Sequence, residues 1–324
     1  MGALATALRR AFARADANAI AVTCARVNDD CDGMMHVTYG ALASRAHAFG
    51  RAMRDLGYGD ASSAPLGVDV RDGAEALTAY VGVGLAGAGA RTRGRGETTA
   101  DAFGRGRTRG TMVEHERANE AGSIVGAHEP IAVYGGTVRE AVILYDVLSA
   151  AYGTAEAVAA AEADAGAVMD ARYYFGSDRV TSGMMLVSCA ERAVAALGMT
   201  SADVVCSAAP LGHAMGFGFA ALAALTSGAR LVIPRASASG VSGEDARRAM
   251  FDATLEAVRA ERCTLVVADS HLTRVARERG VDASDLTHLR GGLVKIGSGD
   301  DIGLASPVEF LGARLATVGA APKV

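Results

Sequence analysis

The spacing of apolar residues changes repeatedly along the chain, and each change marks an element. Leu4 to Ala15 carries helical spacing that stops at Asp16–Asn18. Residues 18–24 (NAIAVTC) form a short apolar run that predicts a strand. Asn28 to Gly33 is turn-like, and His36-Val37-Thr38-Tyr39 opens a new element. Leu42, Ala46, Phe49, Met53 and Leu56 recur at three- and four-residue steps, predicting a helix over 40–56 that Gly57 and Gly59 stop. A strand over 66–70 and a small-residue helix over 74–90 follow. Residues 91–128 show neither period. RTRGRGETTADAFGRGRTRG places six Arg among glycines and polar residues, which predicts a solvated surface insertion. The pattern resumes with a strand at 130–134, a helix at 138–152, an Ala-rich acidic stretch at 154–170 and a strand at 169–175. Helices at 187–197, 214–227, 244–261 and 270–280 then alternate with strands at 203–207, 229–233, 263–268 and 289–296.

That alternation implies βαβ units and a largely parallel sheet. The expected fold class is α/β, with layered parallel-sheet subdomains and flanking helices. A first subdomain would span 1–152, a linker 153–170, and a second subdomain 171–324. No internal repeat is visible.

Composition narrows the function. The chain has 324 residues, half of them hydrophobic, which suits about two domains with sizeable cores. The net charge is −4, aromatics make up 5%, and there is no Trp. That argues against nucleic-acid binding by stacking or by a basic face. The lysines are Lys295 and Lys323, so Arg supplies nearly all the positive charge. Cys24, Cys31, Cys189, Cys206 and Cys263 form no CxxC pair and no metal-ligand spacing, so no metal site is expected. Dispersed free thiols fit a reducing compartment, cytoplasmic or organellar, rather than secretion. The longest apolar stretch, 214–226, is Gly-broken and too short for a membrane span. The first residues carry Arg9, Arg10 and Arg14 and no acid before Asp16. They read either as an ordinary first helix or as a transit peptide, and Met1–Thr6 fits a myristoylation pattern loosely.

Three places carry candidate chemistry. Gly82-Val83-Gly84-Leu85-Ala86-Gly87 matches GxGxxG, but it lies inside a helical run and has no acidic partner on a following strand. It is not expected to bind a dinucleotide. The turn at 173–186, YYFGSDRVTSGMML, sits between a strand and a helix, where backbone N–H groups and hydroxyls can cradle phosphate. It lacks the Walker pattern. The turn Ala209-Pro210-Leu211-Gly212-His213-Ala214-Met215-Gly216 places a histidine between strand and helix among small residues.

In order, these segments resemble the N-terminal domain of AMP-binding, adenylate-forming enzymes: acyl-CoA synthetases, acyl-AMP ligases and adenylation domains. Val37-Thr38-Tyr39-Gly40-Ala41-Leu42 and Ala52 to Gly57 resemble the family's opening, and 79–88 its small-residue helix. Ala209 to Gly216 resembles "PLFHxxG", 222–234 resembles "LxxGAxxVxP", and 289–299 resembles the strand before the "GGAP" turn. The resemblance touches most of the chain outside 91–165. It implies ATP or AMP with Mg as cofactors, held at Gly176, Ser177, Arg179, Ser182 and Gly183. It implies a carboxylic acid or acyl group bordered by His213, Gly216, Phe217 and Gly218, with His213 as the candidate catalytic side chain. The acceptor, CoA or another, stays open.

The departures are specific. Against the family's "YTSGTTGxPKG", this chain keeps Tyr173, Gly176, a hydroxyl at Ser177, and Gly183. It carries Phe175 for Ser, Asp178 for Thr, Arg179 for Gly, Thr181 for Pro and Ser182 for Lys. Asp178 would set a negative charge beside a polyanion. The chain stops near where the family's "YGxTE" segment would begin, and Lys295 is not the family's catalytic Lys. Three readings stand: a ligase impaired in adenylation, a non-catalytic binding or structural subunit, or a truncated gene model of an active synthetase. Surface left uncovered would predict a protein partner or a homo-oligomer.

Overall fold

The computed structural model describes residues 2–25, 34–59, 64–94, 96–104, 107–114, 131–134, 142–144, 169–234 and 243–319. In chain order these form α1 (Ala3–Arg14), β1 (Ile20–Ala25), β2 (Met34–Thr38), α2 (Tyr39–Asp55), β3 (Leu66–Asp69), α3 (Ala74–Ala86), β4 (Gly89–Thr92), α4 (Thr99–Phe103) and β5 (Gly110–Glu114). Next come β6 (Ile131–Tyr134), β7 (Val142–Leu144), β8 (Arg172–Phe175), β9 (Thr181–Ser182), α5 (Gly183–Leu197) and β10 (Val204–Ser207). A π-helical segment, Met215–Leu222, leads into α6 (Ala223–Ser227). The rest is β11 (Arg230–Ile233), α7 (Gly243–Ala260), β12 (Leu265–Asp269), α8 (Ser270–Arg279), β13 (Gly291–Lys295), β14 (Ile302–Phe310) and β15 (Ala313–Val318).

Two compact units emerge. The first comprises Met1–Ala19, Val27–Asp30 and Thr38–Val187; the second comprises Ile20–Arg26, Cys31–Val37 and Ser188–Val324. The division falls within α5, residues 153–168 of the expected linker lie outside the described residues, and β1 and β2 join the second unit's sheet.

The first unit's sheet runs β7-β6-β5-β3-β4-β8-β9, and the second's runs β14-β15-β13-β12-β10-β11-β1-β2. The described pairings are parallel except β8–β9 and β14–β15. The two orders are the same winding. In each, the earliest strand of the wound set (β3 or β10) lies between the next two (β4 and β5, or β11 and β12). Later strands extend one side, and one further parallel strand (β8 or β1) flanks the other. Such winding creates a switch point at the carboxyl ends of β3 and β5, and of β10 and β12, where α/β sheets bind ligands. No sequence repeat announces this, because the shared property is strand order and not residue identity.

Helix α3 is buried along its whole length, which is why it shows no polar face. Its glycines are packing contacts. A Cβ on Gly82 would stand 2.9 Å from the Ala46 carbonyl of α2, and one on Gly84 would stand 2.9 Å from Leu4 of α1. The GxGxxG match is therefore a helix-packing surface. Helix α1 docks here through Leu4, Ala5, Leu8 and Ala11. Gly87, with φ 67°, ends α3. In the second unit, Phe251 of α7 meets Phe310 edge-on at 6.3 Å, beside Val258, Val266, Leu272 and Val294. Cys24, Cys189, Cys206 and Cys263 are buried and form no disulfide among the described residues; Cys31 lies outside the described residues.

Several expectations change. The stretch 91–128 is not a structureless insertion: its described residues include the end of β4, all of α4 and β5. Strands as short and polar as GART and GTMVE carry no readable period, yet both pair with β3 at the sheet's centre. The helix expected over 138–152 is a strand at 142–144, and the remainder lies outside the described residues. Three apolar residues do not distinguish the two states. The hairpin β14–β15 was not foreseen. Its outer strand is largely exposed and carries Pro307, as an edge strand tolerates.

Candidate functional site

The phosphate-loop candidates all fall in the first unit, on the turn from β8 through β9 into α5. Strand β8 is anchored by Tyr173, which is fully buried and donates its hydroxyl to the Tyr80 carbonyl at 2.7 Å. Burial, with the Asp170 charge adding to it, pushes that phenol's pKa well up. Gly176 follows with φ +57°, and a Cβ there would meet the Gly94 Cα at 2.8 Å. Only glycine fits both conditions without strain. Gly183 opens α5 against Asp170 Oδ1, which a Cβ would approach to 2.6 Å.

Several of the loop's backbone donors are spent. The Gly176 N–H donates to Thr92 Oγ1 at 3.0 Å, and the Gly183 N–H donates to the Ala171 carbonyl at 2.7 Å. The Met184 N–H donates to Asp170 Oδ2 at 2.9 Å, so a carboxylate of the chain itself caps the start of α5. Ser177 and Ser182 accept from the Arg179 and Met185 N–H groups at 3.3 and 3.2 Å, which leaves their own O–H groups to donate. Arg179 is exposed, and its side chain makes no ion pair among the described residues.

Asp178 is not an isolated charge. Its carboxylate accepts from Arg91 Nη2 at 2.7 Å and lies 3.7 Å from Arg107 Nη2. The hydrogen bond from Arg91, then the field of Arg107, holds its pKa below the usual carboxylate value. Arg91, the penultimate residue of β4, is in register with Tyr174 of β8, and its guanidinium lies 5.7 Å over that ring. Its Nε donates to the Ala102 carbonyl at 2.9 Å. Sequence reasoning missed Arg91, Thr92 and Arg107, because they lie in the stretch read as an insertion. Asp178 and Arg91 are 87 residues apart, and no local spacing signals the pair.

His213, Gly216, Phe217 and Gly218 belong to the second unit. The loop Ala208–Ala214 leaves the carboxyl end of β10, beside β12, so His213 stands at that sheet's switch point. The Met215 N–H donates to His213 Nδ1 at 3.0 Å. Partial desolvation of the ring, then the Lys295 charge, lowers the His213 pKa against the opposing pull of Asp300 and Asp269. The following Met215–Leu222 turn is π-helical, a form that recurs at functional sites. Every residue in it is buried, Phe217 fully. Gly216 is there because a Cβ would stand 2.0 Å from the Pro210 carbonyl oxygen. Among the described residues, no group of three or more His, Cys, Asp or Glu side chains could hold a metal ion. No described helix is long and apolar enough to cross a membrane.

No protein-family model matches the sequence, and no curated protein matches it. Solved structures do, and those described next are adenylate-forming enzymes. An anthranilate CoA ligase in complex with anthranoyl-AMP superposes with a TM-score of 0.65 at 16% identity, over 94% of this chain and 55% of its own. A benzoate CoA ligase from Burkholderia xenovorans LB400 gives 0.65 at 18%, over 92% and 56%. A nonribosomal peptide synthetase in its AMPPNP-bound form gives 0.61 at 18%, over 97% and 31%. The fold is that of these enzymes, and the chain spans about half the length of the two ligases.

Proposed function

We propose that this chain is an adenylate-forming, ligase-like protein that binds an adenine nucleotide at the 176–183 loop. A carboxylic acid or acyl group would bind beside His213, and acyl-adenylate formation is impaired in the chain by itself. In the full reaction a carboxylate oxygen attacks the α-phosphorus, the bond to the bridging oxygen breaks, and pyrophosphate leaves. Catalysis then depends on donors and cations aimed at the phosphates. Mg would arrive with the nucleotide and neutralise part of its charge.

One observation carries the reading. The 176–183 loop keeps strand–turn–helix geometry at the carboxyl end of a parallel sheet, yet the Gly176 and Gly183 N–H groups are committed within the protein. The groups left for a nucleotide include the Ser177 and Ser182 hydroxyls and nearby arginines, with two glycine amides committed elsewhere and no lysine in the loop. The anthranoyl-AMP and AMPPNP complexes of similar structures support the ligand class. CoA as acceptor and a partner protein or second copy stay part of the proposal; sedimentation tests the last.

The decisive experiment pairs equilibrium binding of Mg-ATP with acid-dependent ATP–pyrophosphate exchange, using aryl and fatty acids. Binding without exchange is expected. Robust exchange would overturn the impairment, and absence of nucleotide binding would overturn the whole reading.

A further inference from the structure

Arg91 is a buried cation held by the scaffold, with its side chain 4% exposed. Its Nε is fixed on the Ala102 carbonyl and its plane lies over Tyr174. The remaining edge of the guanidinium points toward the loop. There the one carboxylate it meets, among the described residues, is that of Asp178, which is 73% exposed. The two partners are unequal. An exposed carboxylate is well served by water and gains little from the pair, whereas a buried guanidinium left without an anion is costly. Arg107, 39% exposed, stands 3.7 Å from the same carboxylate through Nη2, while its Nη1 donates to the Asp101 carbonyl at 3.0 Å and lies 3.7 Å from Glu97 Oε1. The Ser177 hydroxyl, next in the chain, has its proton free to donate. Two guanidiniums therefore converge on one negatively charged position, now filled by the loop's own side chain. Guanidinium forks match phosphate oxygens as well as carboxylates.

We infer that Arg91 and Arg107 form the polyphosphate-binding cation pair of this loop, in the role for which the sequence offers no lysine, and that Asp178 is their displaceable counterion. The inference rests on the nucleotide-binding reading above and deepens it. Asp178 then acts as a competitor: a polyphosphate entering the loop takes over the edge of Arg91 and releases the carboxylate to solvent.

The test uses inorganic tripolyphosphate, which carries neither adenine nor acid, with calorimetry and ligand-induced thermal shift on the full chain. Asp178→Asn removes the competing charge and is expected to bind tripolyphosphate about tenfold more tightly than the native chain. Adding Arg107→Gln to that variant is expected to abolish the gain, and Asp178→Glu to restore native affinity. A purely structural pair would lower stability in Asp178→Asn without tightening anion binding, and equal or weaker binding overturns the inference. Should Asp178→Asn not fold, Arg107→Gln in the native background decides. Its exposed side chain tolerates change, weaker binding is expected, and unchanged binding overturns the proposal. A tripolyphosphate response with no preference for ATP would sink the nucleotide reading and leave this site standing. ATP binding with no tripolyphosphate response would do the reverse.

Discussion

The Met215 backbone N–H points at His213 Nδ1 across 3.0 Å, and a backbone amide can only donate. Nδ1 must therefore be unprotonated, and the neutral ring carries its proton on Nε2. Protonation would set an N–H against an N–H, in the same sense as desolvation and Lys295, which already depress the pKa. Nitrogen-detected NMR should show the Nε2–H tautomer and a titration below the ordinary 6.5. The sign for stability follows. Between the depressed folded value and the unfolded value near 6.5, the unfolded state binds more protons, so acidification through that window destabilises the protein. His213→Asn, which cannot titrate, should flatten that part of the stability–pH curve. An unchanged curve would show that His213 does not set it.

Asp203 is expected to matter for stability and not for the site. It sits just before β10, at the amino end of the sheet and opposite the His213 loop. Arg290 grips it through Nε and Nη2 at 3.0 and 2.9 Å, Thr264 Oγ1 donates at 2.7 Å, and the Thr200 N–H donates at 2.9 Å. Burial alone would raise its pKa, but Arg290, Thr264 and Thr200 together hold it below 3.8. Its contribution is thus present above that value and lost as pH falls through the folded pKa. Asp203→Ala should cost about 2–4 kcal/mol in denaturant unfolding, tempered by the half-exposed Arg290, and leave ligand binding unchanged.

Gly82 separates two meanings of one motif. If Gly82-Val83-Gly84-Leu85-Ala86-Gly87 bound a dinucleotide, Gly82→Ala would weaken NAD binding. The packing of α3 on α2 predicts instead a loss of about 1–3 kcal/mol, because the new methyl meets Phe49 and the Ala46 carbonyl. Thermal melts should show that loss, and NAD should shift neither protein.

How much of this was legible depended on what each residue does. The second unit was readable because apolar runs such as Leu231–Ile233 and Leu265–Ala268 alternate with amphipathic α7 and α8. The first unit was half readable. Its central strands β4 and β5 are polar and short, and their identity comes from neighbours that a linear pattern does not contain. The loop at 176–183 and the turn at His213 were visible as chemistry between elements. The partners of Asp178 were not, because a contact between β4 and a loop 87 residues later leaves no local trace. An acid in a turn that resembles a phosphate loop reads as repulsion until the arginine beside it is seen.

Gly216 offers the sharpest link from one residue to the site. Its Cα faces the carbonyls of Ala209 and Pro210, and a Cβ would stand 2.6 and 2.0 Å from their oxygens. Backbone atoms cannot rotate aside as a side-chain tip can, so even alanine must push the Ala209–His213 turn away from the π-helical segment. That movement would break the Met215 N–H to His213 Nδ1 bond and the Phe217 N–H to His213 carbonyl bond, 3.0 and 2.9 Å long. Gly216→Ala should therefore cost about 1–3 kcal/mol. It should also raise the His213 pKa toward its ordinary value, since the amide that opposes protonation is no longer in place. Gly291→Ala is the control: it opens β13 in the same unit, and a Cβ there would meet nothing nearer than the Arg314 carbonyl oxygen at 3.4 Å, an ordinary contact. If both variants lose stability alike and neither moves the His213 titration, the turn is held by general packing and not by the glycine at 216.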